Sequence, residues 1–342
     1  MATVGTRNLT LADVSRRTDP DGKIAPIVEV LDEMNEIVGD MVMKECNDGT
    51  KHKTTVRTGI PSGTWRKLYG GVQSTKSSTA QIVDSCGMLE ALPKIDADLV
   101  DKSGDPQGTL MSENMPHIEG LTQDVVSTMF YGDTSAHPER FEGLSNRYPN
   151  YTRATPDKDK TDYNVLNAGG SGSDNTSIWL VTWGDNALHA LYPKGSKAGL
   201  QQMNLGKKLT TADDSSGDFM AYVTHYKWDI GLTLRDWRTC GRICNIDVSN
   251  LESESSAADL VKLMIKLSER VKGPGKRVWY MHERVRTMLR IQMLGAGTGL
   301  TAFNVNLTYE NIEGKKVMMF DGDPVRTNEQ QLLTESALTQ AS

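Results

Sequence analysis

Between residues 219 and 237 the even positions read Met220, Tyr222, Thr224, Tyr226, Trp228, Ile230, Leu232 and Leu234, whereas the odd ones include His225, Lys227, Asp229 and Arg235. A period of two held that far predicts one strand about three times the usual length, with Gly231 as its bend or bulge. Residues 177–183 are a β-branched and aromatic run and read as a buried strand. Residues 188–192 are expected to pair with it before the turn Pro193-Lys194-Gly195. Shorter strands are predicted over 277–280, 303–309 and 316–320.

Four stretches carry helical spacing. From Pro26, the residues Ile27, Leu31, Met34, Ile37, Val38 and Met41 share a face opposite a row of acids, predicting a helix that ends near Asn47-Asp48-Gly49. Ile118, Leu121, Val125 and Met129 mark a long helix over 113–131, with Pro116 in its first turn, where a missing N–H costs little. Two more are expected over 257–271 and 282–294, the first stopped by Gly273-Pro274.

Other stretches have no period. Residues 1–25 are polar and read as an extended arm. Residues 50–85 are rich in Thr, Ser and Lys, with strand-like arms over 53–57 and 73–83 around a tip running from Gly59 to Gly71. A two-armed hairpin with so few large apolar side chains is marginal alone in water. Its tip carries Trp65, Arg66, Lys67, Leu68 and Tyr69, the candidate contacts with another surface. Residues 135–174 are loop-like and hold a domain boundary, and from Asn328 the chain is polar.

Composition narrows the function. In 342 residues, 38 basic against 44 acidic side chains leave a net charge of -6, which argues against a protein built to grip nucleic acid through phosphates. No apolar run approaches a membrane span, and no signal sequence opens the chain, so synthesis in the cytosol is expected. The four cysteines are too few and scattered for a disulfide framework and read as buried thiols.

No catalytic constellation emerges, and no metal or cofactor is expected. Gly273-Pro274-Gly275-Lys276 ends like a phosphate loop, but residue 270 is Arg where a glycine belongs and Arg277 stands where a Ser or Thr would hold the metal. Gly295-Ala296-Gly297-Thr298-Gly299 follows a helix instead of opening one. His282-Glu283 has Arg286 in place of a second histidine, and Cys240 with Cys244 lacks the ligands to close a zinc site. Asp321-Gly322-Asp323 lacks the spaced oxygens of a calcium loop and reads as a turn. What remains is a body with two extended limbs that gain order by lying on neighbouring chains, which favours assembly over catalysis.

Several phrases stand in order along the chain: Phe130-Tyr131-Gly132-Asp133, Phe141-Glu142-Gly143-Leu144, Trp183-Gly184-Asp185, Tyr192-Pro193-Lys194-Gly195, and Gly231 through Arg238 leading to Arg242-Ile243-Cys244-Asn245-Ile246. With the element order, they resemble the major capsid proteins of tailed double-stranded DNA bacteriophages, and most specifically the shell proteins of short-tailed phages. The resemblance implies an α+β fold of the Hong Kong 97 capsid type. Residues 1–49 would form the arm and its helix, 50–90 the extended loop, 91–164 with 301–335 the peripheral domain around a spine helix at 113–131, and 165–300 the axial domain; the 219–237 strand could belong to either. It implies copies of the chain as partners, in hexamers and pentamers of an icosahedral virion shell enclosing DNA, with scaffolding, portal and decoration proteins as further partners and no membrane. No Lys, Asn and Glu set for an isopeptide cross-link can be identified. The alternatives are an encapsulin-like nanocompartment shell and an enzyme with an unrecognised active site.

Overall fold

The computed structural model describes residues 35–59, 61–102, 105–211, 217–253, 257–295, 307–312 and 315–341. The expected arm at 1–25, the first turns of the helix from Pro26, the connector after Gly295 and the start of the strand at 303 lie outside them. The chain opens with α1 (Ile37–Asp40), β1 (Met43–Glu45) and the hairpin β2 (Lys51–Gly59) and β3 (Ser78–Ala91). Then come β4 (Lys94–Asp96), α2 (Ala97–Lys102), the long α3 (Pro106–Tyr131), α4 (Leu144–Arg147) and β5 (Val165–Asn167). The middle holds β6 (Asn175–Trp183), β7 (Leu188–Tyr192), β8 (Gln201–Thr211), β9 (Asp218–Leu234) and β10 (Cys240–Asp247). The chain ends with α5 (Val248–Glu252), α6 (Leu260–Arg270), β11 (Lys276–Met281), α7 (Glu283–Gly295), β12 (Leu307–Ile312), β13 (Lys315–Phe320) and β14 (Asp323–Thr327).

Two compact units emerge. Among the described residues the larger takes in 35–87, 127–198 and everything from 230 onward. Its centre is β6, all nine residues of which are buried, and its apolar stretch 178–181 suits a strand with both faces of the sheet covered. It pairs antiparallel with β10 and with β11, and β11 continues through a parallel pair to β14 and then to β13 and β12. Ile178 and Leu180 face a core built with Leu260, Met264 and Leu267 of α6 and Val285 and Leu289 of α7. The alternate residue Trp179 meets Phe130 and Tyr148 at ring distances of 6.0 and 5.9 Å. Each such side chain contributes roughly 1.5–3 kcal/mol by leaving water.

The smaller unit holds 88–126 and 199–229. Here β8 pairs along the first half of β9, and β4 lies on the other edge of β9. One apolar cluster in it gathers Ile95, Leu99 and Val100, with Leu110 and Tyr222 packed against them, and Leu121, Val125, Val126, Val223, Tyr226 and Trp228 are also buried. Met88, Met111, Met203 and Leu209 are exposed.

Several expectations are corrected. The helix expected to run to residue 47 is helical only over α1 within the described residues, because Met43, Lys44 and Glu45 instead pair in parallel with Ala190, Leu191 and Tyr192 of β7. Sheet hydrogen bonds there override the helical spacing. Pro116 lies inside α3, not in its first turn. The true start is set by Asp105, whose side chain accepts from the Gly108 N–H at 3.1 Å and whose carbonyl accepts from the Thr109 hydroxyl at 2.7 Å. An interior proline costs about 3 kcal/mol, which the burial of Leu121, Val125, Val126 and Met129 on the same helix offsets. Strand β7 meets β6 only at Trp183 and Leu188, in parallel; its main partners are β1 and the second half of β9. Gly231 is no bulge: its pairing with Leu191 is in register, and it is small because a Cβ there would sit 2.9 Å from the Ser85 carbonyl oxygen.

Candidate assembly interface

The β2–β3 hairpin is held at its root and bare at its tip. At the root, Asp84 of β3 accepts from Arg147 at 2.9 Å and from the Thr233 hydroxyl, and Arg147 donates onward to the Leu232 carbonyl at 3.0 Å. All of these groups lie in the larger unit, so the arm is tied to β9 and α4 by charge-assisted bonds. Asn47 closes the turn before β2, its side chain donating to the Lys53 carbonyl at 2.7 Å and accepting from the Lys53 N–H at 2.8 Å. His52 and His189, both buried, meet edge to face at 5.8 Å. Burial, then Lys44 and His52, hold His189 down at about 4, so it is neutral at pH 7. Burial likewise lowers His52.

Beyond Gly59 regular pairing stops. Trp65 and Tyr69 are 101% exposed, Leu68 and Val72 are exposed, and so are Arg66 and Lys67. A turn closes through the Gly70 N–H to the Lys67 carbonyl at 3.0 Å, with Tyr69 at φ 63, the left-handed region that a bulky side chain seldom takes. All five tip residues singled out from the sequence therefore stand on one short exposed segment.

The motifs weighed for catalysis are structural. Gly275, at φ +146, turns the chain where a Cβ would strike the Trp183 carbonyl, and Lys276 pairs with buried Asp40 at 2.6 Å. Cys240 and Cys244 are buried on β10, their thiols pushed up to about 12 by burial. Among the described residues no three His, Cys, Asp or Glu side chains come together as a metal site would need. A different buried polar group carries no sequence signature. Glu335, in the polar tail, is buried and accepts from Arg242 at 2.8 Å, Ser177 at 2.5 Å and Tyr131 at 2.6 Å. Burial and the Glu335 carboxylate push the Tyr131 hydroxyl far up, which keeps it a donor. No local pattern marks Glu335, because its partners are remote in sequence.

A family model described as "Major capsid protein GP7" matches residues 19–339. The chain belongs to that family. This capsid protein is 38% identical to a chain in the near-atomic-resolution structure of bacteriophage Epsilon15, with 99% of this chain and 100% of that one covered and a TM-score of 0.75. Fainter matches are to the capsid of bacteriophage JBD30 (10% identity, 94% and 99% covered, TM-score 0.44) and to the capsid of a native GTA particle (9%, 61% and 89%, 0.43). No curated protein matches. The capsid protein has the Hong Kong 97-like fold and is a structural component of a phage virion, not an enzyme. The family also displaces the nanocompartment alternative.

Proposed function

We propose that copies of this chain assemble into the hexamers and pentamers of an icosahedral head around double-stranded DNA, and that the β2–β3 hairpin completes itself on a neighbouring copy. The observation that carries this is the contrast within one hairpin: a root fixed by Asp84 and Arg147, and a tip whose Trp65 and Tyr69 are wholly exposed. Aromatic side chains with so much apolar area are strong anchors once they are covered. In this reading 91–164 with 301–335, around the spine helix α3, make the peripheral domain and 165–300, with β6, the axial domain, while the long strand β9 could belong to either. The arm at 1–25 reaches a further copy. A net charge of -6 suits a container that holds its polymer without base-specific contacts. The same reading extends the partners to scaffolding, portal and decoration proteins, and the place of synthesis to the host cytoplasm.

The test is a chain carrying Trp65→Ala and Tyr69→Ala, expressed beside the parent and imaged by electron microscopy. The expected result is folded subunits that form no closed shells. Shells of normal size and yield from the double variant would remove the hairpin from the interface.

A further inference from the structure

Of the four cysteines, two are in contact. Cys46 follows β1, and Cys86 lies in β3; their sulfurs are 3.3 Å apart in a thiol–thiol hydrogen bond, though 40 residues separate them in sequence. Cys46 is fixed to the sheet, its N–H donating to the Tyr192 carbonyl at 2.9 Å, while the Cys86 N–H donates to the Thr50 carbonyl at 3.0 Å. Room for the Cys86 side chain depends on Gly231, where a Cβ would come within 3.0 Å of its sulfur. The residues between the two cysteines are the whole outer hairpin: β2, the tip and the outer part of β3.

We propose that Cys46 and Cys86 are a built-in cross-linking site: on meeting a low-molecular-weight disulfide of the glutathione class they form an intrachain bond that closes the hairpin into a covalent ring at its root. The sulfurs need approach each other by only about 1.3 Å to reach disulfide length. Cys86 is half-buried and Cys46 buried, so Cys86 is the sulfur that reagent reaches first. The Cys86 thiolate attacks one sulfur of the reagent, forming a mixed disulfide and expelling one thiolate. The Cys46 thiolate then attacks the Cys86 sulfur, forming the Cys46–Cys86 bond and expelling the second. The two protons given up by the protein thiols end on the two released thiols, so the protein pair is oxidised and the reagent reduced. Cys240 and Cys244 are fully enclosed on β10 and serve as internal controls.

The bond's purpose, bracing a loop that lies on a neighbour, rests on the reading above; its chemistry does not. The full-length chain is treated with oxidised glutathione, quenched with an alkylating agent, digested with trypsin without reductant and mapped by mass spectrometry. The expected product joins peptide 45–51 to peptide 77–94, with Cys240 and Cys244 alkylated on denaturation, and the link vanishes with reductant or in Cys86→Ser. In the oxidised chain, amide hydrogen exchange through β2 should slow by about tenfold or more, because opening no longer releases a long loop. Alkylation of both Cys46 and Cys86, a stalled glutathione adduct on Cys86, or a link between two chains would overturn the site. A correct link with unchanged exchange in β2 would overturn the bracing. Either failure is distinct from failure of the assembly reading, which the tip variants decide.

Discussion

Trp179 and Trp65 are the same side chain in opposite circumstances. Trp179 sits in the middle of β6, fully buried, with Phe130 and Tyr148 against its ring and the Arg242 guanidinium 4.9 Å from its centre. Trp65 stands at the tip of a hairpin, wholly exposed. The first obtains its order from its own chain. The second has none of its own to gain, and in a protein that builds shells the difference separates what makes a subunit from what makes a particle. Three measurements test that division.

The largest effect is expected from Trp179→Ala, which empties the centre of the sheet and should lower subunit stability by about 3–5 kcal/mol in chemical denaturation. A loss below about 1 kcal/mol would mean that the sheet is not the body's main support.

An intermediate effect is expected at the hairpin root, where His189 divides the two regimes. Its folded pKa, about 4, lies below the ordinary 6.5, so the unfolded chain binds the extra proton between those values. Its stabilising contribution is therefore complete above about pH 6.5 and is lost as pH falls toward about 4, to a total of at most about 3 kcal/mol. Denaturation midpoints followed between those pH values should fall for the parent and flatten in His189→Phe. An equally steep fall in the variant would assign the effect to other groups.

The smallest is expected for Trp65→Ala with Tyr69→Ala in the unassembled subunit, a change within about ±0.5 kcal/mol. Differential scanning calorimetry on dissociated subunits checks it; a loss comparable to that of Trp179→Ala would show that the tip is packed on its own body.

How much of this was legible depended on how each element is buried. Strands β6 and β9 stood out because Ile178, Leu180, Trp228 and Ile230 repeat on sheet faces that are covered. Strand β8 leaves no such signal: Gln201 through Thr211 is partnered along its length by β9, but its residues are exposed or half-buried and so impose no apolar alternation. Strand β1 is ambiguous in the sequence because Ile37, Val38 and Met41 fit a helix as well as they fit a short helix followed by a strand, and only the presence of β7 decides. The exposed tip was legible because Trp65, Leu68 and Tyr69 crowd large apolar side chains into a short, otherwise mostly polar and glycine-rich stretch. Its root was not, since Asp84, Arg147 and Thr233 meet only after the chain has folded back twice.

The clasp between Arg242 and Glu335 also carries a consequence in time. Arg242 is enclosed in the sheet, yet its counter-ion arrives 93 residues later. While the ribosome is still short of residue 335, the half-made protein holds an enclosed cation without its anion, a state that opposes completion of the sheet. Closure of the sheet around Arg242 is therefore expected to wait on Glu335.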